Sequence, residues 1–329
     1  MSESVRAAIR GTGYAVPEKV MSNADFEKII DTSDEWITKR TGIKERRLCS
    51  EDQTTATLAT DAARQAIADA GVDAESIELI VLATITPEML FPATACFVQK
   101  ELGLSGVPAF DISGACSGFI YGLTIGSKFI ESGMYKRVLV IGVDAMSRFT
   151  DYTDRGSCIL FGDGAGAVVL DATTEDKGIL YTTMHAEGTG WDFIHCPGGG
   201  TRIPPTEQSV ADRQHFVKMR GRDVYKFAVE KMQWLLGDCM EGAGLTVSDV
   251  DFVVPHQVNV RIIKSATEKF DFPMDKIYLN IERYGNTSGA SVPMALAEAR
   301  EKGLIKPGMT LLLIAFGAGL TWAGATVKM

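Results

Sequence analysis

The feature that most constrains the fold is an order of apolar runs and helical stretches that occurs twice along the chain. In the first half, an Ala-rich amphipathic stretch over 57–71 precedes buried-strand runs at 77–84, 107–112 and 137–144, with helical stretches between them. Runs that are apolar at nearly every position are typical of parallel strands covered on both faces. The sequence therefore predicts an α/β protein.

The second half repeats this order with little sequence identity. It contains helical stretches at 226–244, 260–270 and 292–303, and strands at 250–256, 276–281 and 310–317. We therefore predict an internal duplication, with an N-terminal half over 1–171 and a C-terminal half over 172–329. Two such halves packed face to face would place the loops after their strands around one shared site, where ligands bind in open α/β sheets.

Composition narrows the class of protein. The chain has 329 residues, 46% hydrophobic and 23% charged, which is ordinary for a soluble protein. A net charge of −9 disfavours a general nucleic-acid binder. No apolar run approaches the roughly 20 residues that span a bilayer, and the start lacks the apolar core of a secretion signal. Six scattered cysteines without CxxC pairs indicate reduced thiols and no metal site. We therefore expect a cytoplasmic protein.

One cysteine stands in an unusually open setting. In "DISGACSGFIYGL", Cys116 follows a predicted strand and opens a helical run, with small residues on both sides. The free N–H groups and partial positive charge of a helix N-terminus stabilise a thiolate. The stretch therefore favours a nucleophile that a substrate can reach. The alternative is a small apolar side chain in the core.

Two residues of the second half fall on matching loops. His256 ends the strand "VDFVVPH", and Asn286 lies in the turn "GNTSGAS", at the position that corresponds to the Cys116 turn. Each has a structural alternative, since a histidine at a strand end is often a hydrogen-bonded structural residue and asparagine tolerates turn geometry. Their placement on symmetry-related loops predicts a reaction centre of Cys116, His256 and Asn286.

A third motif indicates a nucleotide. In "DTSDEWITKRTG", Thr32 and Glu35 fit a capping box, which places Trp36 and Arg40 one turn apart on one helix face. An indole beside a guanidinium suits stacking on a base and attraction to a phosphate. The alternative is a tryptophan that anchors the helix to the core.

Taken together, the motifs resemble β-ketoacyl-ACP synthase III, the condensing enzymes that start type II fatty-acid synthesis, in the thiolase-like superfamily. The matching stretches occur in the family's order: "GTGYAVPEKVMSN", "DTSDEWITKRTGIKERR", "GACSGF", "RGSCILFGDGAGAVVL", "VVPHQVN", "GNTSGAS" and "AFGAGLTWAGA". Elongating relatives carry a second histidine where Asn286 stands, and thiolases a second catalytic cysteine. The resemblance implies a thiolase-like fold, with two duplicated α/β halves in a five-layered α-β-α-β-α arrangement.

The resemblance also implies a mechanism. Cys116 would take the acyl group of a short acyl-CoA, malonyl-ACP would lose CO₂, and His256 and Asn286 would donate hydrogen bonds to the enolate oxygen. Backbone N–H groups of Cys116 and of the turn around Ala318 would form the oxyanion hole. Acyl-CoA is a substrate here, and no tightly bound cofactor or metal is implied.

Further roles are carried over by resemblance alone. The CoA contacts implied are Thr32, Trp36, Arg40, Arg155, Gly156 and Asn259, with Trp36 and Arg155 on the two faces of the adenine. The implied docking residues for an acidic acyl carrier protein are Lys226, Arg261 and Lys264. Phe91 would enter the acyl pocket, reaching into a neighbouring subunit's site in a homodimer. The chain departs from familiar members at Arg222, Tyr225, Ala318 and Leu320.

Three alternatives stay open at this point. A paralogue on the same fold would join other chains in polyketide or quinolone pathways. A cysteine hydrolase would also use Cys, His and Asn. A non-catalytic subunit would only bind acyl chains, although such proteins typically lack the nucleophile that Cys116 provides. The glycine-rich "GDGAGA" at 162–167 runs into an apolar strand pattern, so we predict a tight strand entry there and no phosphate loop.

Overall fold

The computed structural model describes residues 5–329. Its strands are β1 (Arg6–Ala15), β2 (Val20–Ser22), β3 (Glu45–Arg47), β4 (Leu79–Ala83), β5 (Ala109–Ile112), β6 (Arg137–Ala145), β7 (Asp163–Thr173), β8 (Gly178–Ala186), β9 (Ile194–His195), β10 (Lys218–Met219), β11 (Phe252–Pro255), β12 (Thr310–Gly317) and β13 (Thr321–Lys328). Its α-helices are α1 (Asn23–Phe26), α2 (Asp34–Thr41), α3 (Thr55–Ala70), α4 (Thr94–Glu101), α5 (Gly118–Glu131), α6 (Glu207–Ala211), α7 (Gly221–Gly242), α8 (Val260–Thr267), α9 (Ile281–Tyr284) and α10 (Ser291–Glu301).

The two larger sheets repeat one topology. The first has the strand order β1-β7-β6-β4-β5, and the second has the order β8-β13-β12-β11. In each sheet, the first three strands of this order pair antiparallel with one another. Every following strand pairs parallel with the strand before it. The four strands of the second sheet therefore correspond to the first four of the first sheet, and β5 has no counterpart in the second sheet within residues 5–329.

Helices and sheets alternate in five layers. Helices α3 and α4 cover the outer face of the first sheet, and α7 and α8 cover the outer face of the second. Between the sheets lie α5 and α10, whose apolar side chains join both sheets in one core. The predicted five-layered arrangement is confirmed. It brings the ends of β5, β11 and β12 toward one another through the two central helices.

One predicted strand is wrong. In the stretch 276–281, only Ile277 forms a bridge, to Val253, and the Tyr278 N–H donates to the Val253 carbonyl at 3.0 Å. The chain then turns away because the Asn280 N–H is taken by the side chain of Gln257 at 3.0 Å. An apolar alternation alone does not reveal that a side chain will replace the ladder partner.

The remaining predictions about the chain have simpler outcomes. Strand β7 begins at Asp163, so the glycine-rich stretch is the strand entry that was predicted. Because β7 continues to Thr173, the predicted division at 171/172 falls within its last residues, and that division stays a prediction. Among the described helices, none is long and apolar enough to cross a membrane.

Candidate active site

Cys116 lies in a tight turn between β5 and α5. The turn is a 3₁₀ helix over Ala115–Ser117, and Ala115 has a φ of 47°, in the left-handed region that alanine rarely adopts. In this turn, Cys116 lies just before the first residue of α5, and its side chain lines a cavity. The predicted position at a helix N-terminus is confirmed.

The corresponding turn of the second half lies against it. It is a 3₁₀ helix over Ser288–Ala290, it precedes α10, and it also opens on a left-handed residue, Ser288, with a φ of 50°. By position in the turn, Gly289 is the counterpart of Cys116. The Cys116 Sγ lies 3.6 Å from the Ser288 Oγ, so the two turns meet at the thiol.

One cavity of about 780 Å³ unites the predicted centre. Cys116, His256 and Asn286 all line it, together with Ser288 and Ala318. His256 follows β11 and Asn286 follows α9, so the three predicted residues come from three separate segments. Most of the remaining wall is apolar, as in a site for an acyl chain.

His256 is buried and neutral. It is 1% exposed, and burial lowers its pKa from 6.5 to about 3. The ring of Phe316 packs edge-on against the imidazole at 5.5 Å between centroids, and the Nδ1 lies 2.5 Å from the Oγ of Ser291. Within residues 5–329 the hydrogen bond at Nδ1 is the only one of the ring, which leaves the other nitrogen, Nε2, available to the cavity that His256 lines.

Asn286 has its amide oriented by the backbone. The Oδ1 accepts a hydrogen bond from the Ser288 N–H at 2.9 Å, and its own N–H and C=O bond to Leu160 and Gly162. Because the Oδ1 already accepts a hydrogen bond, the amide is oriented so that the N–H groups of Nδ2 can donate to a molecule in the cavity. Asn286 is therefore a hydrogen-bond donor to whatever lies beside Cys116.

The pKa of the Cys116 thiol is raised in the free protein, which opposes the stabilised thiolate expected from its helix position. Burial raises the pKa of Cys116 from 9.0 to about 12, the hydrogen bond to Ser288 opposes this, and the charge of Asp144 adds to it. A helix N-terminus stabilises an anion by about 0.3–1 kcal/mol, which is under one pKa unit. Burial therefore outweighs the helix.

A buried carboxylate supports the second turn. Asp144, at the end of β6, is completely buried and accepts a hydrogen bond from the Gly289 N–H at 2.9 Å. Burial raises its pKa, and hydrogen bonds oppose that rise. Further hydrogen bonds come from the Thr84 hydroxyl, the Ile85 and Thr86 N–H groups and the Thr86 hydroxyl. Asp144 thus fixes the turn that carries Ser288.

The turn after β12 approaches the nucleophile closely. A Cβ built on Gly317 would lie 2.7 Å from the Cys116 nitrogen, so only glycine fits there. Ala318 lines the cavity, and its N–H has no acceptor among the described backbone hydrogen bonds. The N–H groups of Cys116 and Ala318 therefore stand at the same end of the cavity.

A second cavity of about 740 Å³ adjoins the first. The two share the lining residues Leu160, Met219, Val224 and Val258. Four arginines line the second cavity and no carboxylate does: Arg40, Arg155, Arg222 and Arg261. In a chain of net charge −9, this groove is a local site for anions.

Most of the predicted nucleotide contacts lie in this groove. Trp36, Gly156 and Asn259 line it with the arginines. The Arg155 and Arg40 guanidinium groups lie 4.5 Å and 5.0 Å from the centroid of the Trp36 ring. Because Arg155 already covers one face of the indole, a base stacked on that face would have to displace it.

Two details of this region differ from the prediction. The N-cap of α2 is Ser33, whose Oγ accepts from the Trp36 N–H at 3.1 Å, so Thr32 forms no capping box with Glu35. Thr32 does not line the groove, and its Oγ1 is buried without a partner. Asn259 caps α8 and donates to the Arg40 carbonyl at 2.9 Å, which ties α8 to α2.

The predicted docking residues lie on two helices, α7 and α8, that contribute residues to the groove. Lys226, Arg261 and Lys264 are exposed, and none forms an ion pair within residues 5–329. Arg261 lines the groove itself. Tyr225 and Arg222, two of the departures from familiar members, line it as well.

Phe91 lies away from the cavity of its own chain. It is 81% exposed and does not line the cavity, whereas Met89 and Leu90 do. With Leu90 at 80% exposure, the segment presents apolar side chains on the surface.

The family models that match this chain are those of 3-oxoacyl-[acyl-carrier-protein (ACP)] synthase III, over residues 110–188, and of its C-terminal part, over 240–329. The curated beta-ketoacyl-[acyl-carrier-protein] synthase III of Caldanaerobacter subterraneus subsp. tengcongensis is 49% identical over 328 residues, covering 100% of this chain and 99% of that protein. The chain belongs to this family.

Other members of the synthase III family are similar to this chain in sequence and in structure. The Clostridioides difficile protein of the same name is 49% identical over 99% of both chains. The crystal structure of 3-oxoacyl-[acyl-carrier-protein] synthase III from Aquifex aeolicus VF5 is 46% identical, with a TM-score of 0.92, over 98% of this chain and 100% of that chain. The protein is thus an acyl-transferring condensing enzyme with a thiolase-like fold, and a paralogous polyketide or quinolone enzyme is not favoured.

Sequence reasoning missed three residues of this synthase site. Ser288 and Ser291 stand in the quoted turn "GNTSGAS", yet nothing in the pattern indicates that their hydroxyls meet the thiol and the imidazole. Asp144 ends an apolar strand, and a carboxylate in that position was the available signal. Each contributes by contacting another residue of the site, and a sequence pattern does not show such contacts.

Proposed function

We propose that the protein condenses a short acyl-CoA primer with malonyl-ACP to give β-ketoacyl-ACP, CoA and CO₂, the first condensation of type II fatty-acid synthesis. The observation that supports this best is one cavity lined by a thiol and two neutral N–H donors, at Cys116, His256 and Asn286. The adjoining groove lined by arginines supports substrates that carry phosphate.

In the first half of the reaction, Cys116 is the nucleophile. Its sulfur gives up the thiol proton and attacks the carbonyl carbon of the acyl-CoA thioester, forming a new C–S bond. The N–H groups of Cys116 and Ala318 receive the oxyanion that develops, and CoA leaves as its thiol once it takes a proton. The primer is then held on Cys116.

In the second half, malonyl-ACP loses CO₂ and the electron pair of the broken C–C bond forms an enolate. The His256 Nε2–H and the Asn286 Nδ2–H donate to the thioester oxygen that becomes negative. Because burial holds the His256 pKa at about 3, this donor stays neutral at physiological pH. The enolate carbon then attacks the acyl carbonyl, and the C–S bond to Cys116 breaks. The sulfur takes one proton from solvent, which restores the thiol.

The groove is the proposed entrance for both substrates. Trp36 and Arg155 would hold the adenine of CoA between them once Arg155 leaves the face of the indole, and the other three arginines of the groove would bind the phosphates. Lys226, Arg261 and Lys264 would meet the acidic carrier protein, since they are exposed and unpaired within the described part of the chain. The passage past Leu160 and Val258 then leads to Cys116.

The acyl pocket is proposed to be completed in a homodimer. Strand β5 is the last strand of its sheet, so its outer edge has no ladder partner among residues 5–329. The exposed Leu90 and Phe91 lie on the loop between the neighbouring β4 and α4. Phe91 would reach the cavity of a second copy from there. We expect such a dimer in the cytoplasm, where the carrier protein is.

Mass spectrometry of the intact protein tests the proposal. After incubation with a panel of acyl-CoAs, we expect an acyl adduct on Cys116 and, with malonyl-ACP, release of β-ketoacyl-ACP. The Cys116→Ser variant is the control for the adduct. An adduct that only water removes, with no C–C product, would indicate a cysteine hydrolase. No adduct with any acyl-CoA would overturn the proposal.

A further inference from the structure

The contact between Ser291 and His256 determines which ring nitrogen of the imidazole carries a proton. Both residues are buried, with exposures of 2% and 1%. Ser291 is the first residue of α10, and His256 follows β11, so the contact joins the central helix layer to the second sheet. The Oγ and Nδ1 lie 2.5 Å apart, and this is the one hydrogen bond of the imidazole within residues 5–329.

The Ser291 oxygen already accepts another hydrogen bond. The backbone N–H of Gln257 donates to the same Oγ at 3.3 Å. The Gln257 peptide is held firmly, because its side-chain Nε2 donates to the carbonyls of Pro255 and Tyr278 and its Oε1 accepts from Asn280. The Oγ therefore receives one donor from a fixed direction.

The hydroxyl proton of Ser291 has one available acceptor. A serine at a helix start often bonds to the carbonyl four residues earlier, here that of Thr287. No such bond forms, and within residues 5–329 no other acceptor contacts this hydroxyl. The proton is therefore left for the Nδ1 of His256.

The opposite arrangement leaves a buried proton without a partner. If Nδ1 carried the proton, Ser291 Oγ would accept from both His256 and Gln257, and its own O–H would be unpaired. The cost of an unpaired buried donor favours the other tautomer by on the order of ten- to a hundredfold. The lowered pKa of His256 excludes protonation of both nitrogens at neutral pH.

We propose that Ser291 is a positioning residue that fixes His256 as its Nε2–H tautomer, because its hydroxyl donates to Nδ1 while its oxygen accepts from Gln257. The inference rests on the proposed function for its catalytic meaning, since the Nε2–H is the donor to the enolate of malonyl-ACP. Ser291 itself touches neither substrate. Its hydroxyl acts through the ring, and acylation of Cys116 does not require it.

Nitrogen NMR of the wild-type protein tests the tautomer directly. With ¹⁵N-labelled histidine, long-range ¹H–¹⁵N correlations distinguish a protonated Nε2 from a protonated Nδ1, and the His256→Gln variant assigns the signal. We expect His256 as the Nε2–H form from pH 6 to 8. A dominant Nδ1–H form would overturn the proposal. The measurement needs no substrate, so it is independent of whether the condensation occurs.

The Ser291→Ala variant tests the consequence in the two half-reactions. We expect acylation of Cys116 within threefold of the wild type, and decarboxylation of malonyl-ACP on the acylated enzyme reduced on the order of ten- to a hundredfold. The Ser291→Thr variant keeps the hydroxyl and is expected to retain more of the second step than Ser291→Ala. Equal losses in both half-reactions of a folded Ser291→Ala protein would indicate a merely structural role. A wild-type protein without condensation would instead count against the proposed function.

Discussion

The Sγ of Cys116 lies 3.6 Å from the Oγ of Ser288, so the nucleophile of one half contacts the first residue of the matching turn in the other. The hydrogen bond lowers the pKa of a thiol that burial raises. Because Asp144 fixes the second turn through Gly289, the surroundings of the thiol are set from both halves of the chain.

The Ser288→Ala variant is expected to react more slowly with iodoacetamide at Cys116. Loss of a hydrogen bond that favours the thiolate corresponds to about a two- to tenfold smaller rate at fixed pH. Peptide mass spectrometry measures the labelling of this cysteine among the six. Ser127→Ala is the matched control, since Ser127 is a buried serine of α5 whose hydroxyl bonds to Thr124. An unchanged or faster rate would count against this hydrogen bond.

Alkylation of Cys116 in the free protein is expected to rise with pH over the whole range from 7 to 10. The thiolate is the reactive form, and with a pKa of about 12 its fraction increases about tenfold per pH unit throughout that range. The labelling rate measured at several pH values checks this. A plateau above pH 8 would show a thiol activated by its helix instead.

Stability is expected to fall at mildly acidic pH because of His256. Its pKa in the folded protein, about 3, lies below the value of 6.5 in the unfolded chain, so only the unfolded chain binds the proton between these values. The free energy of unfolding therefore decreases by about 1.4 kcal/mol per pH unit below pH 6.5 from this group alone. Denaturant titrations at several pH values should show a shallower decrease in His256→Gln. If the free energy of unfolding depended on pH equally in the wild type and in His256→Gln, the contribution of His256 would be contradicted.

The Trp36→Ala variant is expected to raise KM for acyl-CoA and leave kcat nearly unchanged. Loss of stacking on a base corresponds to about 1–3 kcal/mol, or roughly a five- to hundredfold higher KM. An acyl-pantetheine substrate, which lacks the nucleotide, should show no such change. Trp234→Ala, at an exposed indole on α7, is the control for a general effect. An equal rise in KM for both substrates would place the nucleotide elsewhere.

The Gly317→Ala variant is expected to lose acylation of Cys116. A methyl group there would lie 2.7 Å from the Cys116 nitrogen and force apart the two turns that hold the oxyanion. Such overpacking costs about 1–3 kcal/mol, so we expect a lower melting temperature as well. Gly188→Ala, with open space around its Cβ position, is the control. Normal acylation in Gly317→Ala would remove Ala318 from the proposed oxyanion hole.

The sequence predicted the position of the centre because loop position follows from strand order. Cys116 and His256 each follow a strand whose apolar pattern is strong. Asn286 follows α9, and it was placed by its turn motif because the strand predicted before it does not form. The resemblance supplied the roles, and the structure places all three residues in the wall of one cavity.

The features that sequence reasoning missed depend on tertiary contacts. The pKa of Cys116 is set by burial, which no local pattern measures. In the stretch 276–281, the Asn280 N–H donates to the side-chain Oε1 of Gln257, a residue distant in the sequence, and not to a neighbouring strand. Likewise, Ser33 is the N-cap of α2, although Thr32 fits a capping pattern in the sequence. Each outcome is decided by what lies opposite in space.

The matching turns carry different residues at their second position, Cys116 in one and Gly289 in the other. A side chain on Gly289 would meet the Asp144 carboxylate at 3.2 Å, so the space that a second sulfur would need is already filled by an acid. The two matching turns therefore have different roles. The first carries the nucleophile, and the second supports it. A cysteine substituted for Gly289 would therefore not by itself create a second reactive centre in the chain.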